Sequence, residues 1–161
     1  LDHADQLDAL IIMNSPHDRG EQAQAAVEAR AATVCDQGAM ATMDAALKRW
    51  FTPEYLDQKE GPSLVREWRK QVDDESYAQT SWVLAHGVRE LIAPKPAIAV
   101  PCLVMTCEND VGSTPQMSVD IGAEIAGSTV QIVPHLQHLG LMEAPDLFTV
   151  PICDFIQRLL R

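Results

Sequence analysis

The chain has 161 residues, 47% hydrophobic and 22% charged, which suits one ordinary folded domain and is short for two. Its 23 acidic and 12 basic residues leave a formal charge of −11. Such a surface repels phosphate backbones and sets nucleic-acid binding aside. No apolar run reaches the roughly 18 residues that span a bilayer, so no membrane contact is expected.

The opening LDHADQLDAL carries neither an initiator Met nor the basic-then-apolar layout of a secretory signal. A cytoplasmic protein with further sequence upstream is therefore expected. Ala9 to Met13 is a short apolar run with two isoleucines, ended by Asn-Ser-Pro. Continuous apolarity of this kind predicts a strand buried on both faces, as in a parallel sheet. From Arg19 to about Leu91 the pattern turns helical, with breaks expected at Gly38, Thr52-Pro53 and Gly61-Pro62. Asp73 and Asp74 read as the cap of a helix beginning near Glu75. VREWRKQ reads as a solvated helix face.

APKPAIAVP is Pro-rich and extended, a natural return from a helical insertion to a sheet. Ala99 to Cys107 is the second strand candidate, and Ser128 to Pro134, rich in β-branched residues, the third. Between them Ser113 or Thr114 can cap a helix with Pro115 in its first position. Met117, Ile121 and Ile125 then mark one apolar face. APDLFTVPICDFIQRLLR reads as a closing helix carrying Leu147, Phe148, Ile152, Phe155, Ile156, Leu159 and Leu160, with Pro151 set to kink it or delay its start. Strand, loop and helix, twice over, is the signature of α/β architecture. Three strands are few for such a sheet, which fits a piece of a larger fold.

Four cysteines, Cys35, Cys102, Cys107 and Cys153, lie without a CxxC pair. That spacing argues against a zinc ribbon or redox dithiol and favours small buried thiols. His3, His17 and His86 have no partners at metal-ligand spacing, so no metal site is expected.

Two loops carry the candidate chemistry. In TCENDVGSTP, Asp110 lies just past the end of a buried strand, where open α/β sheets assemble their sites. Asn-Asp before Val-Gly is also ordinary turn chemistry, in which the side chain bonds local backbone. In VPHLQHLGLMEAP, His135 and His138 follow the next strand, and each can be a simple loop residue. An acid after one strand and a histidine after the next would meet at one sheet edge. There a carboxylate can fix the ring tautomer and stabilise the imidazolium.

These motifs resemble the α/β-hydrolase superfamily. Its acid turn is matched by CENDVGSTP, with Cys107 at a position usually glycine and Asp110 as the acid. Its histidine turn is matched by PHLQHLGLMEAPDLF, with His138 in the catalytic slot, Glu143 to Pro145 as the E-x-P, and His135 where glycine is common. DQLDALIIMNSP resembles the strand that follows the nucleophile helix. The local flavour is closest to capped esterases and enol-lactonases of the 3-oxoadipate type.

The resemblance implies an incomplete α/β-hydrolase fold of mostly parallel strands. Residues 1–18 would give a core strand and loop, 19–92 a helical cap, and 93–161 the last core units. It implies a serine-type hydrolase cleaving a carboxylic ester or lactone through an acyl-enzyme, with no cofactor. Asp110 would orient His138, while Trp50, Phe51, Trp82 and Met142 would line a substrate pocket. None of the seven serines sits in a G-x-S-x-G elbow. The chain alone would therefore be inactive, its nucleophile on a missing N-terminal half or a second chain that also covers the first strand's edge. Two alternatives stand beside this reading. One is a non-catalytic helical interaction module; the other is the same fold with dehalogenase, C–C hydrolase or haloperoxidase chemistry.

Overall fold

A computed structural model describes residues 3, 6–58 and 60–160. The chain divides into two compact units, the stretch up to His17 together with the chain from Ile92 onward, and Asp18–Leu91. No helix among the described residues is long and apolar enough to cross a membrane.

The first unit is built on a parallel sheet of β1 (Leu10–Met13), β2 (Cys102–Cys107) and β3 (Thr129–Val133), in that spatial order. Leu10 pairs with Cys102 and Met13 with Met105, while Leu103 pairs with Thr129 and Cys107 with Val133. All six residues of the central strand β2 are buried. Strand side chains alternate between faces, so β2 feeds two cores. On one face Leu103, Met105 and Cys107 meet Val133, Phe148 and Phe155; on the other Cys102 and Val104 meet Ile121 and Ile125. The strand expected to be buried on both faces, β1, is only half-buried. It pairs with β2 alone among the described residues, so it lacks the second neighbour that would cover it.

In the second unit lie α1 (Glu21–Gln37), α2 (Met43–Trp50), α3 (Pro53–Leu56), α4 (Glu60–Lys70), α5 (Asp74–His86) and a 3-10 turn over Gly87–Leu91. In the first lie α6 (Pro115–Glu124), α7 (Gly140–Glu143) and α8 (Asp146–Leu159). Thr114 caps α6 by accepting from the Met117 N–H, with Pro115 at the first position. Met117, Ile121 and Ile125 are buried, as their spacing predicts. Gly122 is required there, because a Cβ would stand 2.4 Å from Val130 Cγ2.

Helix α8 runs through Pro151 rather than starting after it. Its buried stripe is Phe148 and Phe155 with Ile152 packed alongside. Cys153 lies one position, about 100°, round from Ile152 and is exposed, as is Cys35. The expectation of four buried thiols therefore holds for Cys102 and Cys107 only.

In the second unit α1 and α5 share a core of Val27, Ala31 and Ala85. Asp73 caps α5 by accepting from Ser76 N–H at 2.9 Å, so the helix begins at Asp74, which itself accepts from Ala39 N–H at 2.6 Å. Gly61-Pro62 does not break the chain. It lies in the first turn of α4, where a missing proline N–H costs no helical bond. The VREWRKQ face is not simply solvated either. Arg69 is only 7% exposed and donates to Ala39 O at 3.1 Å, Thr42 Oγ1 at 3.3 Å and the Tyr77 hydroxyl. Its guanidinium lies 4.2 Å from the Tyr77 ring centre and 5.2 Å from that of Trp50.

Candidate active site

The C-terminal ends of the three strands place one loop each at the same sheet edge. After β2 the chain turns at once, with Asp110 N–H donating to Cys107 O at 3.2 Å. Asp110 Oδ1 accepts from the Gly112 and Ser113 N–H groups at 2.8 and 2.9 Å. Thr106 Oγ1, buried in the strand, donates to Ser113 O at 2.8 Å and staples the far side of the loop. The turn role foreseen for Asp110 is thus real, and it consumes one oxygen.

The other oxygen faces the histidine turn. Asp110 Oδ2 lies 2.6 Å from His138 Nδ1. The acid side chain is 1% exposed and the imidazole 31%. An ionised carboxylate only accepts, so Nδ1–H is the donor, and proton exchange with a reacting group would run through Nε2. Burial pushes the Asp110 carboxyl upward. The hydrogen bond and charge of His138, with bonds from Ser113 and Asn14, outweigh it and hold the group below the usual range.

Backbone bonds fix this approach. Glu108 N–H donates to Val133 O at 2.8 Å and Asn109 N–H to Leu136 O at 3.0 Å, extending the β2–β3 ladder into both loops. Glu108 Oε2 accepts from His135 N–H at 2.8 Å. His135 adopts φ 63°, the left-handed region that glycine favours, and its side chain is exposed. Of the two histidines, His138 meets the acid, and His135 makes the bend that brings it there. At Gly140 a Cβ would stand 2.8 Å from Cys107 Sγ, so the histidine turn can lie directly on the end of β2.

Sequence reasoning missed two contributors. Glu108 ties the turns together, and Asn14, just past β1, donates from Nδ2 to Asp110 Oδ2 at 3.1 Å. Both roles depend on strand register, for which no local motif exists. Cys107 lies under the same turn, 3.7 Å from Asn14 Nδ2. Burial pushes its thiol pKa up, which keeps it a protonated core group.

Of the candidate pocket residues, Met142 stands half-buried on α7 in the sheet unit. The other three belong to the helical unit, and they do not share one environment. Phe51 is 0% exposed and stacks on Tyr55 at 5.1 Å between ring centres. It packs the unit's interior and offers no surface to a ligand, which corrects the pocket expectation for this residue. Trp50 lies beside the Arg69 guanidinium. Trp82 is 60% exposed, stacks on His86, and borders a groove of about 840 Å³ between α1 and α5 with Ala31, Ala78 and Val83. No group of three His, Cys, Asp or Glu able to hold a metal ion occurs among the described residues.

The chain resembles known proteins in both sequence and structure. No family model matches it. An enol-lactonase from Burkholderia xenovorans superposes with a TM-score of 0.82 at 27% identity, over 96% of this chain and 58% of that one. A thermophilic esterase from Thermogutta terrifontis gives 0.77 at 20% identity, over 98% of this chain and 58% of that one. In sequence, the chain is 24% identical over 142 residues to an (E)-2-((N-methylformamido)methylene)succinate hydrolase of Acinetobacter baylyi, covering 88% of this chain and 53% of that protein. The chain thus spans a little over half the length of the relatives it matches.

Proposed function

We propose, for a chain that carries the C-terminal part of an α/β-hydrolase fold, that Asp110 and His138 are the acid and base of a serine-type hydrolase acting on a carboxylic ester or lactone. The observation that carries this reading is the 2.6 Å contact between Asp110 Oδ2 and His138 Nδ1 at the ends of adjacent parallel strands. The enol-lactonase and esterase among its structural neighbours support the substrate class.

In this mechanism His138 takes the nucleophile's proton at Nε2 as the serine oxygen attacks the substrate carbonyl. Asp110 stabilises the imidazolium from the Nδ1 side without itself taking the proton. His138 then returns that proton to the leaving oxygen and later activates the water that cleaves the acyl-enzyme. The serine and the oxyanion donors come from residues outside this chain, either on an N-terminal half or on a second chain beside β1.

The test is to express the natural polypeptide with whatever sequence precedes Leu1 and assay a p-nitrophenyl ester and dihydrocoumarin. Turnover, with one serine labelled by a fluorophosphonate, is expected. His138→Ala and Asp110→Asn should each lower kcat by about 10³-fold or more. The chain alone should show neither turnover nor labelling. Undiminished turnover in His138→Ala, or no labelled serine in the longer polypeptide, would sink this reading in favour of a non-catalytic module.

A further inference from the structure

Three neighbouring strands each deliver one polar side chain to the same edge: Asn14 after β1, Asp110 after β2 and His138 after β3. Asp110 Oδ1 is held by two backbone N–H groups, from Gly112 and Ser113. Oδ2 receives His138 Nδ1 at 2.6 Å and Asn14 Nδ2 at 3.1 Å. We propose that Asn14 is a positioning residue for the Asp110–His138 pair, its amide holding Oδ2 in the plane that faces the imidazole and sharing that oxygen's charge. The inference rests on the acid–base reading above and names a residue through which that site is tuned.

Why asparagine is used follows from two demands at one position. Asn14 has φ 45°, in the left-handed region that asparagine, aspartate and glycine tolerate and bulky residues do not. Its own N–H donates to Met105 O at 2.9 Å, so the side chain starts from a point fixed by the β1–β2 register. From there a short amide reaches Oδ2, and its NH₂ must face that oxygen, because a carbonyl there would meet a carboxylate. Aspartate would keep the backbone and the shape but replace the donor with an acceptor. Glycine would keep the backbone and remove the amide.

These two substitutions make the test. The titration of the Asp110 carboxyl carbon is followed by NMR in the chain, in Asn14→Gly and in Asn14→Asp. The low-field His138 Nδ1 proton is followed alongside. Loss of one hydrogen bond to the charged oxygen should raise the Asp110 midpoint by about one pH unit in Asn14→Gly. A second carboxylate should raise it further in Asn14→Asp. The Nδ1 proton should shift or exchange faster in both. In the nucleophile-bearing enzyme, Asn14→Gly should lower kcat about tenfold with KM unchanged.

An Asp110 midpoint and Nδ1 proton unmoved in both variants would overturn the proposal. Asn14→Asp preserves volume and backbone, so it decides the matter even where Asn14→Gly fails to fold. The NMR readout needs no turnover. A moved midpoint without any labelled serine would therefore support the role of Asn14 in holding Asp110 and overturn the hydrolase reading alone.

Discussion

A single aspartate does two jobs in this chain, and its two oxygens divide them. Oδ1 closes the loop after β2 while Oδ2 meets His138. Because the folded carboxyl titrates below its ordinary value, the unfolded chain binds its proton at higher pH than the folded one. The stability Asp110 contributes is therefore complete above the ordinary carboxylate pKa of about 3.9 and is lost as pH falls through the lower folded value. Asp110→Asn should cost about 2–4 kcal/mol at neutral pH, measured by urea unfolding. The gap between variant and parent should narrow as pH falls through that depressed range; a gap that stayed constant would show that Asp110 is not held as an anion. Asp110 and His138 were legible in the sequence because each follows a strand whose end is marked by local polar residues. Asn14 and Glu108 were not, since what they touch is set by registers joining residues far apart in the chain.

At the level of elements, the strands could be read from continuous apolar and β-branched runs, and the helix of Met117, Ile121 and Ile125 from its apolar periodicity. Charge patterning misled where a cation was buried. In VREWRKQ, Arg69 has the neighbours of a solvated helix face, yet its partners Ala39 and Thr42 lie about thirty residues earlier in sequence. Burial and the charge of Arg49 lower its pKa, but five N–H donors in a planar fork suit the carbonyl, hydroxyls and rings around it. Arg69→Met would strand the Ala39 carbonyl and the Tyr77 hydroxyl, and should destabilise the helical unit by about 3 kcal/mol. Arg69→Lys should recover only part of this, because an ammonium cannot fill the fork. Chemical denaturation followed by Trp fluorescence checks both, and full recovery by lysine would reduce Arg69 to a point charge.

For the molecule as a whole, the decisive feature is a three-stranded sheet with β1 at one side. Leu10 N–H and Asn14 N–H both point to β2, bonding Pro101 O and Met105 O at 2.9 Å. Alternation along a parallel strand then turns the N–H and C=O groups of Ile11 and Met13 to the opposite side. Such an edge, flanked by half-buried apolar side chains, is a template for another strand. We expect the chain to associate through this edge, by pairing with a strand of another chain or of a second copy of itself. Sedimentation velocity should therefore show concentration-dependent assembly. Ile11→Pro should abolish assembly without breaking the β1–β2 ladder, because proline removes only the outward N–H. Its loss of side-chain packing should cost about 1–3 kcal/mol, which thermal unfolding measures separately from assembly. In the associated state the Ile11 and Met13 amides should be protected from hydrogen exchange. A monodisperse monomer in which those two amides exchange freely would mean that β1 is tolerated bare, and the case for a partner at this edge would fall.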